Sequence, residues 1–130
     1  MIVDTSAIVA IVRGEQEARS FSTALHQKRP AKMSAANYLE AGIVIDAAGD
    51  AVASTRLDAT LTKLGVEIAP VTEVQAKLAR QAYRDFGKGS GHPAQLNFGD
   101  CFAYALAMER GEDLLYKGED FAHAGLARLA

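Results

Sequence analysis

Apolar and polar residues follow one another along this chain in two rhythms, and the switches between them mark out short strands and amphipathic helices. Met1-Ile-Val3 is a continuous apolar run closed by Asp4, the pattern of a short buried strand. Thr5 and Ser6 then offer hydroxyls suited to starting a helix over Ala7 to Arg13. From Glu15 to Gln27 the apolar positions Ala18, Phe21 and Leu25 share one helix face, and the segment closes before Pro30. Lys32-Met-Ser34 predicts a second strand. Helices are expected from about Asn37 to Ala48 and from Ala51 to Leu64, the latter stopped by Gly65.

Val66 to Ala69 reads as a further strand. Thr72-Glu-Val-Gln75 has the form of a capping box, and Val74, Leu78, Ala82 and Phe86 follow at helical spacing until Gly87. Gly87 to Leu96 carries three glycines and Pro93, so a long mobile loop is expected there, either functional or a tolerated surface connection. Phe98 to Met108 is apolar nearly all round and predicts a helix buried on most sides, and Leu114-Leu-Tyr116 supplies one more strand. Strands alternating with helices indicate an α/β domain with a central, mainly parallel sheet of four to five short strands, flanked by helices on both faces. Ligands gather beyond the carboxyl ends of such strands.

Composition narrows the possibilities. A chain of 130 residues, 49% hydrophobic and 23% charged, fits one compact domain over residues 1–130 rather than a disordered or fibrous segment. No stretch reaches the roughly 18 to 20 apolar residues of a membrane span, and the N-terminus lacks the basic start of a secretory signal. A cytoplasmic protein with no membrane partner is the expectation. The single cysteine, Cys101, forms no intrachain disulfide and reads as a buried side chain. A net charge of −2 argues against bulk electrostatic binding of nucleic acid, so any such contact must be local.

The acids are the unusual feature. Asp4 follows the first strand, and Glu119-Asp120 follows the last, which puts them at one edge of a parallel sheet. Singly, Asp4 also reads as a helix N-cap and Asp120 as a turn or cap before a final helix. Glu40 shares a helix face with Ile43, Val44 and Ala47, which directs a carboxylate towards the core side, where a lone charge is costly. Asn37, three residues earlier, offers an alternative as a capping box. Asp100 repeats the arrangement with Asn97 before it and Cys101 to Met108 after it. Helix N-termini favour an ionised acid by roughly 0.3–1 kcal/mol, too little to offset the mutual repulsion of several carboxylates. A cation is the remedy.

Oxygen ligands without a thiolate or histidine cluster select Mg²⁺, with Mn²⁺ as a substitute, because His26, His92 and His123 are scattered and read as surface or partly packed side chains. Carboxylates around such an ion can activate water and neutralise a phosphodiester under attack. Arg84, Lys88 and Lys117 are candidate phosphate contacts, and equally read as solvated surface charge, the reading that prevails for Arg80.

Met1-Ile-Val-Asp-Thr-Ser-Ala7, Ser34-Ala-Ala-Asn-Tyr-Leu-Glu40, Leu96-Asn-Phe-Gly-Asp100 and Lys117-Gly-Glu-Asp-Phe121 resemble the ordered motifs of PIN-domain ribonucleases, over nearly the whole chain. Within that group the chain is most similar to the toxins of VapBC-type toxin–antitoxin pairs, notably from Gly91-His-Pro-Ala94 into Asp100. The resemblance implies a PIN-like fold, with Asp4, Glu40 and Asp100 as the core metal-binding and catalytic acids. It makes Asp120 the fourth, more variable member, with Glu119 as its rival. Thr5, Ser6 and Asn97 become supporting residues. It also implies Mg²⁺-dependent endonucleolytic cleavage of RNA, such as tRNA or rRNA, a homodimer, and a cognate antitoxin that occupies the active-site groove.

Rival classes fit less well. A receiver domain needs a phosphoacceptor Asp at a central strand end, and Val66 to Val71 has none. A haloacid-dehalogenase-like phosphatase needs an acid two residues after its nucleophile, where Ser6 stands. A non-catalytic RNA- or protein-binding module gains nothing from clustered negative charge. Cleavage of DNA stays open as an alternative.

Overall fold

A computed structural model describes residues 1–125 of the chain. Four strands alternate with helices: β1 (Ile2–Val3), β2 (Ala31–Ser34), β3 (Val66–Ala69) and β4 (Leu114–Leu115). All pair in parallel, in the order β3-β2-β1-β4. The chain therefore steps outward from β1 to β3 and returns on the other side of β1, so that the order reverses at the β1–β4 junction. In open parallel sheets, ligands collect at such a junction, beyond the strand carboxyl ends.

Helices cover both faces: α1 (Thr5–Arg13), α2 (Ala18–Gln27), α3 (Ala35–Ala47) and α4 (Ala51–Leu64), then α5 (Glu73–Phe86), α6 (Phe98–Arg110) and α7 (Asp120–His123). Alternating side chains of the short strands divide the core in two. Val3, Met33 and Leu115 join Ile8, Phe21, Leu25, Ile45, Leu57 and Leu61 on one face. Ile2, Leu114 and Tyr116 join Ala79, Ala82, Leu96, Leu106 and Phe121 on the other. A strand buried on both faces reads as an unbroken apolar run, as β1 and β4 do.

Several boundaries differ from expectation. Helix α1 begins at Thr5 with Asp4 as its cap, so Thr5 and Ser6 lie inside the first turn. Helix α3 begins at Ala35 with Ser34 as cap, which places Asn37 within the helix and ends its reading as a cap. Only half of the expected box at Thr72 forms. Thr72 Oγ1 accepts from Gln75 N, but the Gln75 amide turns away to Glu109 at 2.9 Å. Gly65 ends α4 as expected, in the left-handed conformation at φ 68°, where a side chain is costly. Gly87 ends α5 in an extended conformation instead.

The segment from Gly87 to Leu96 is fastened rather than free-standing. Leu96 N donates to Phe86 O, Lys88 N donates to Leu96 O, and Ala94 and Leu96 are fully buried. Two other expectations are corrected. The face of Glu40, Ile43 and Val44 does not enter the core, for Ile43 is 59% exposed and Leu39 62%. Helix α6 is buried through Ala103, Ala105, Leu106 and Ala107, yet Phe98 at its start is 78% exposed. An apolar groove lined by Leu39, Ile43, Val44, Phe98 and Phe102 thus runs between α3 and α6 on the outside of the molecule, with Glu40 in its wall.

Candidate metal centre

The carboxyl ends of β1 and β4, the N-terminal turns of α1 and α6 and the middle of α3 meet around an open groove of about 290 Å³. Asp4, Glu40 and Asp100 line it, together with Thr5, Ser6, Asn97 and Lys117. Residues separated by almost the full length of the chain are brought together, Asp4 and Lys117 from just past a strand, Asp100 from the start of α6 and Glu40 from the second turn of α3.

Every one of the three acids is held through one oxygen. Asp4 Oδ2 accepts from Ser6 N at 2.9 Å and Ser6 Oγ at 2.6 Å. Glu40 Oε1 accepts from Thr5 Oγ1 at 2.5 Å and Asn37 Nδ2 at 3.3 Å. Asp100 Oδ2 accepts from Asn97 N at 2.9 Å, while Asn97 Oδ1 accepts from Asp100 N at 2.8 Å, a complete capping box. Ser6 Oγ also accepts from Lys117 N at 2.9 Å, which ties Asp4 to the end of β4.

The electrostatics of the groove are unfavourable to its own charges. Burial, opposed by the Ser6 hydrogen bonds and reinforced by the Asp100 and Glu40 charges, raises the Asp4 carboxyl to about 7. Burial also raises Asp100, to about 6, with the charges of Asp120 and Glu40 adding to it and the Asn97 N–H and Lys88 opposing. Asp4 Oδ1 is buried and has no hydrogen-bond partner among the described residues. An orphaned carboxylate oxygen at the bottom of an acidic groove fits a hard cation, and the groove offers oxygen donors with no histidine or thiol beside them. Among the described residues, no three His, Cys, Asp or Glu side chains stand ready to hold an ion without rearrangement. Glu40 and Asp100 are each held on protein donors through a single oxygen.

The remaining expected residues are more peripheral. Asp120 is exposed at the first turn of α7 and outside the groove lining, but its charge is felt at Asp100. Glu119 precedes it with no capping hydrogen bond. Lys117 lines the groove with its amine held by Glu15 at 2.7 Å and Glu17 at 3.4 Å, so it does not stand as an uncommitted phosphate contact. Lys88 lies near enough to lower Asp100, and Arg84 is exposed in the last turn of α5. Cys101 is buried as expected, its Sγ donating to Asn97 O.

Sequence reasoning missed Glu15, which lines the groove and pairs with Lys117, and the inward role of Asn37. The Asn37 amide is fully buried and donates to Gly99 O at 2.9 Å, joining α3 to α6. Its signal was present in Ser34-Ala-Ala-Asn37, where the serine is the better cap and starts the helix before the asparagine.

This fold has counterparts among known proteins. Residues 1–126 match the PIN domain family, and the chain belongs to it. Its relatives there are VapC ribonucleases. Ribonuclease VapC28 of Mycobacterium tuberculosis is 56% identical over 128 residues, covering 98% of this chain and 96% of the relative. Ribonuclease VapC42 of the same organism is 47% identical over 126 residues, covering 97% and 96%. The crystal structure of Mycobacterium tuberculosis VapC20, a Sarcin-Ricin loop cleaving toxin, has a TM-score of 0.76 at 21% identity over 98% of this chain and 97% of its own. A toxin–antitoxin complex from Klebsiella pneumoniae gives 0.68 at 18%, over 93% and 89%. At such identities the likeness is one of fold. Ribonucleases of the PIN-domain family are in general metal-dependent.

Proposed function

We propose that this chain is a single-domain, Mg²⁺-dependent endoribonuclease toxin that cuts RNA of the translation machinery, tRNA or rRNA, and is neutralised by a cognate antitoxin. The observation that carries the reading is the convergence of Asp4, Glu40 and Asp100 on one groove, with Asp4 Oδ1 buried and unpartnered at its base. Relatives named as ribonucleases at 47–56% identity over nearly the whole chain support the choice of RNA.

Asp4, Glu40 and Asp100 would hold Mg²⁺, or Mn²⁺ in its place, with Asp120 contributing from the rim. The chemistry such a cation supplies is water activation and neutralisation of charge at the phosphodiester. The chain's own residues prepare the groove for it. Ser6 fixes the Asp4 carboxylate and Asn97 that of Asp100, so one oxygen of each group is anchored. Preorganised ligands lose little freedom when they coordinate. Lys88, whose charge is felt at Asp100, and Arg84 would contact the RNA backbone, and Lys117 would have to exchange Glu15 and Glu17 for a phosphate. No helix among the described residues is long and apolar enough to cross a membrane.

The exposed apolar groove between α3 and α6 adjoins the acidic one. Contiguous exposed apolar surface of this kind marks an interaction site, and we assign it to protein partners of the toxin, its antitoxin and a second copy in a homodimer.

The deciding experiment is cleavage of mixed tRNA and rRNA fragments by purified protein, with Mg²⁺, with chelator, and with an Asp4→Asn variant, beside a DNA substrate. Cuts in RNA that require both metal and Asp4 are expected. Metal- and Asp4-dependent cuts in DNA alone would move the activity to the other nucleic acid. RNA binding without cutting would make the protein a binding module.

A further inference from the structure

We propose that Gly99 is the positioning residue for the Glu40 carboxylate, seating it in the groove by withholding a side chain from the first turn of α6; the proposal rests on the metal-dependent reading of that groove. A Cβ placed on Gly99 would stand 2.5 Å from Glu40 Cδ and 2.6 Å from Oε1, and closer still to Oε2. All three nearest atoms belong to the end of the Glu40 side chain. Nothing in the backbone requires glycine here, because Gly99 is not among the glycines with positive φ. Helix propensity alone would favour alanine over glycine by about 1 kcal/mol. The service glycine performs is therefore spatial.

The neighbouring hydrogen bonds show what that space is for. Thr5 Oγ1 on α1 donates to both Glu40 Oε1 and Asn37 O. The Asn37 amide on α3 donates to Glu40 Oε1 and to the carbonyl of Gly99 itself. Thr5, Asn37 and the bare α-carbon of Gly99 thus surround the carboxylate from three helices. A side chain at position 99 meets only the tip of a flexible residue, so Glu40 swings away and the helices stay in place. The loss falls on the groove and spares the fold.

That separation makes the test direct. Binding of Mn²⁺ alone, followed by the paramagnetic resonance of free Mn²⁺, is compared in the full-length wild type, Gly99→Ala, Glu40→Ala and the double variant, with thermal melting alongside. Gly99→Ala is expected to melt at or above the wild-type temperature while Mn²⁺ affinity falls about tenfold or more, the scale seen when support for a ligand is lost. The double variant is expected to bind as Glu40→Ala does, because without the carboxylate there is nothing left to displace. A Gly99→Ala variant that binds like wild type, one that loses affinity together with melting temperature, or losses that add in the double variant would each overturn the proposal. Wild type that takes up no Mn²⁺, or an Asp4→Asn variant that takes it up as tightly, overturns the metal reading and this proposal with it. Asp4-dependent binding that Gly99→Ala leaves intact overturns this proposal alone.

Discussion

Helices α3 and α6 carry the same sequence device, an asparagine followed three residues later by an acid, and the fold uses it in opposite ways. At Asn97 and Asp100 the asparagine caps the helix and the acid reaches back to it, all at the exposed end of α6. At Asn37 and Glu40 the helix has already started, capped by Ser34, so the asparagine lies inside the first turn and the acid in the second. It faces inward, fully buried, and spans to Gly99 on the other helix. One pair is a local cap that happens to border the groove. The other is a tertiary tie that builds the groove. The difference arises from where the preceding strand delivers the chain, since β2 runs to Ser34 and leaves no room for a cap at Asn37.

The comparison breaks first at the acids. Asp100→Asn and Glu40→Gln keep shape and remove charge, and RNA cleavage is expected to fall by roughly a hundredfold or more in each, with melting temperature held; loss of a ligand should exceed the 10–100-fold cost of losing a ligand's support. Equal loss in both would show that the two pairs serve one site despite their different construction, and an unaffected Glu40→Gln would remove α3 from the chemistry.

The asparagines then separate the two. Asn37→Ala removes two hydrogen bonds of a buried amide, to Glu40 and to Gly99 O, at about 0.5–1.5 kcal/mol each and is expected to destabilise the fold by about 1–3 kcal/mol. Asn97→Ala removes an exposed cap and should cost about 1 kcal/mol. Chemical denaturation of both variants measures the difference, and a cheaper Asn37→Ala would contradict its role as a tie.

A smaller effect is expected with pH. A carboxyl whose pKa rises on folding contributes stability that is complete below its ordinary value and is lost as pH climbs through the folded value. For Asp4 that window runs from 3.8 to about 7, and for Asp100 from 3.8 to about 6. Metal-free protein should therefore lose melting temperature from pH 5 to pH 8, and Asp4→Asn should flatten that slope. Adding Mg²⁺ at pH 8 should restore the loss. An identical slope in the Asp4→Asn variant would show that Asp4 is not burdened as its burial implies.

Much of the architecture was legible along the chain. Short segments between helical patterns located the four strands, and helical spacing located the main helices. The acids of the groove stood out because Asp4 sat just past a strand, Glu40 on an apolar helix face and Asp100 in the first turn of an apolar helix. Those are local signals, set by side-chain periodicity and capping chemistry within a few residues. The resemblance of four ordered motifs to one family added the activity.

Tertiary structure decided what depends on residues far apart in the chain. Leu39, Ile43 and Phe98 have the periodicity of a core but lie outside it, because periodicity shows that a helix has an apolar face and not what covers that face. Lys117 is occupied by Glu15 and Glu17 from the turn between α1 and α2, about a hundred residues earlier, which no local pattern could announce. Gly99 reads along the chain as a weak link in a helix. It becomes a seat for Glu40 only when α3 is laid against α6, because steric exclusion acts between surfaces and leaves no periodic trace in either sequence.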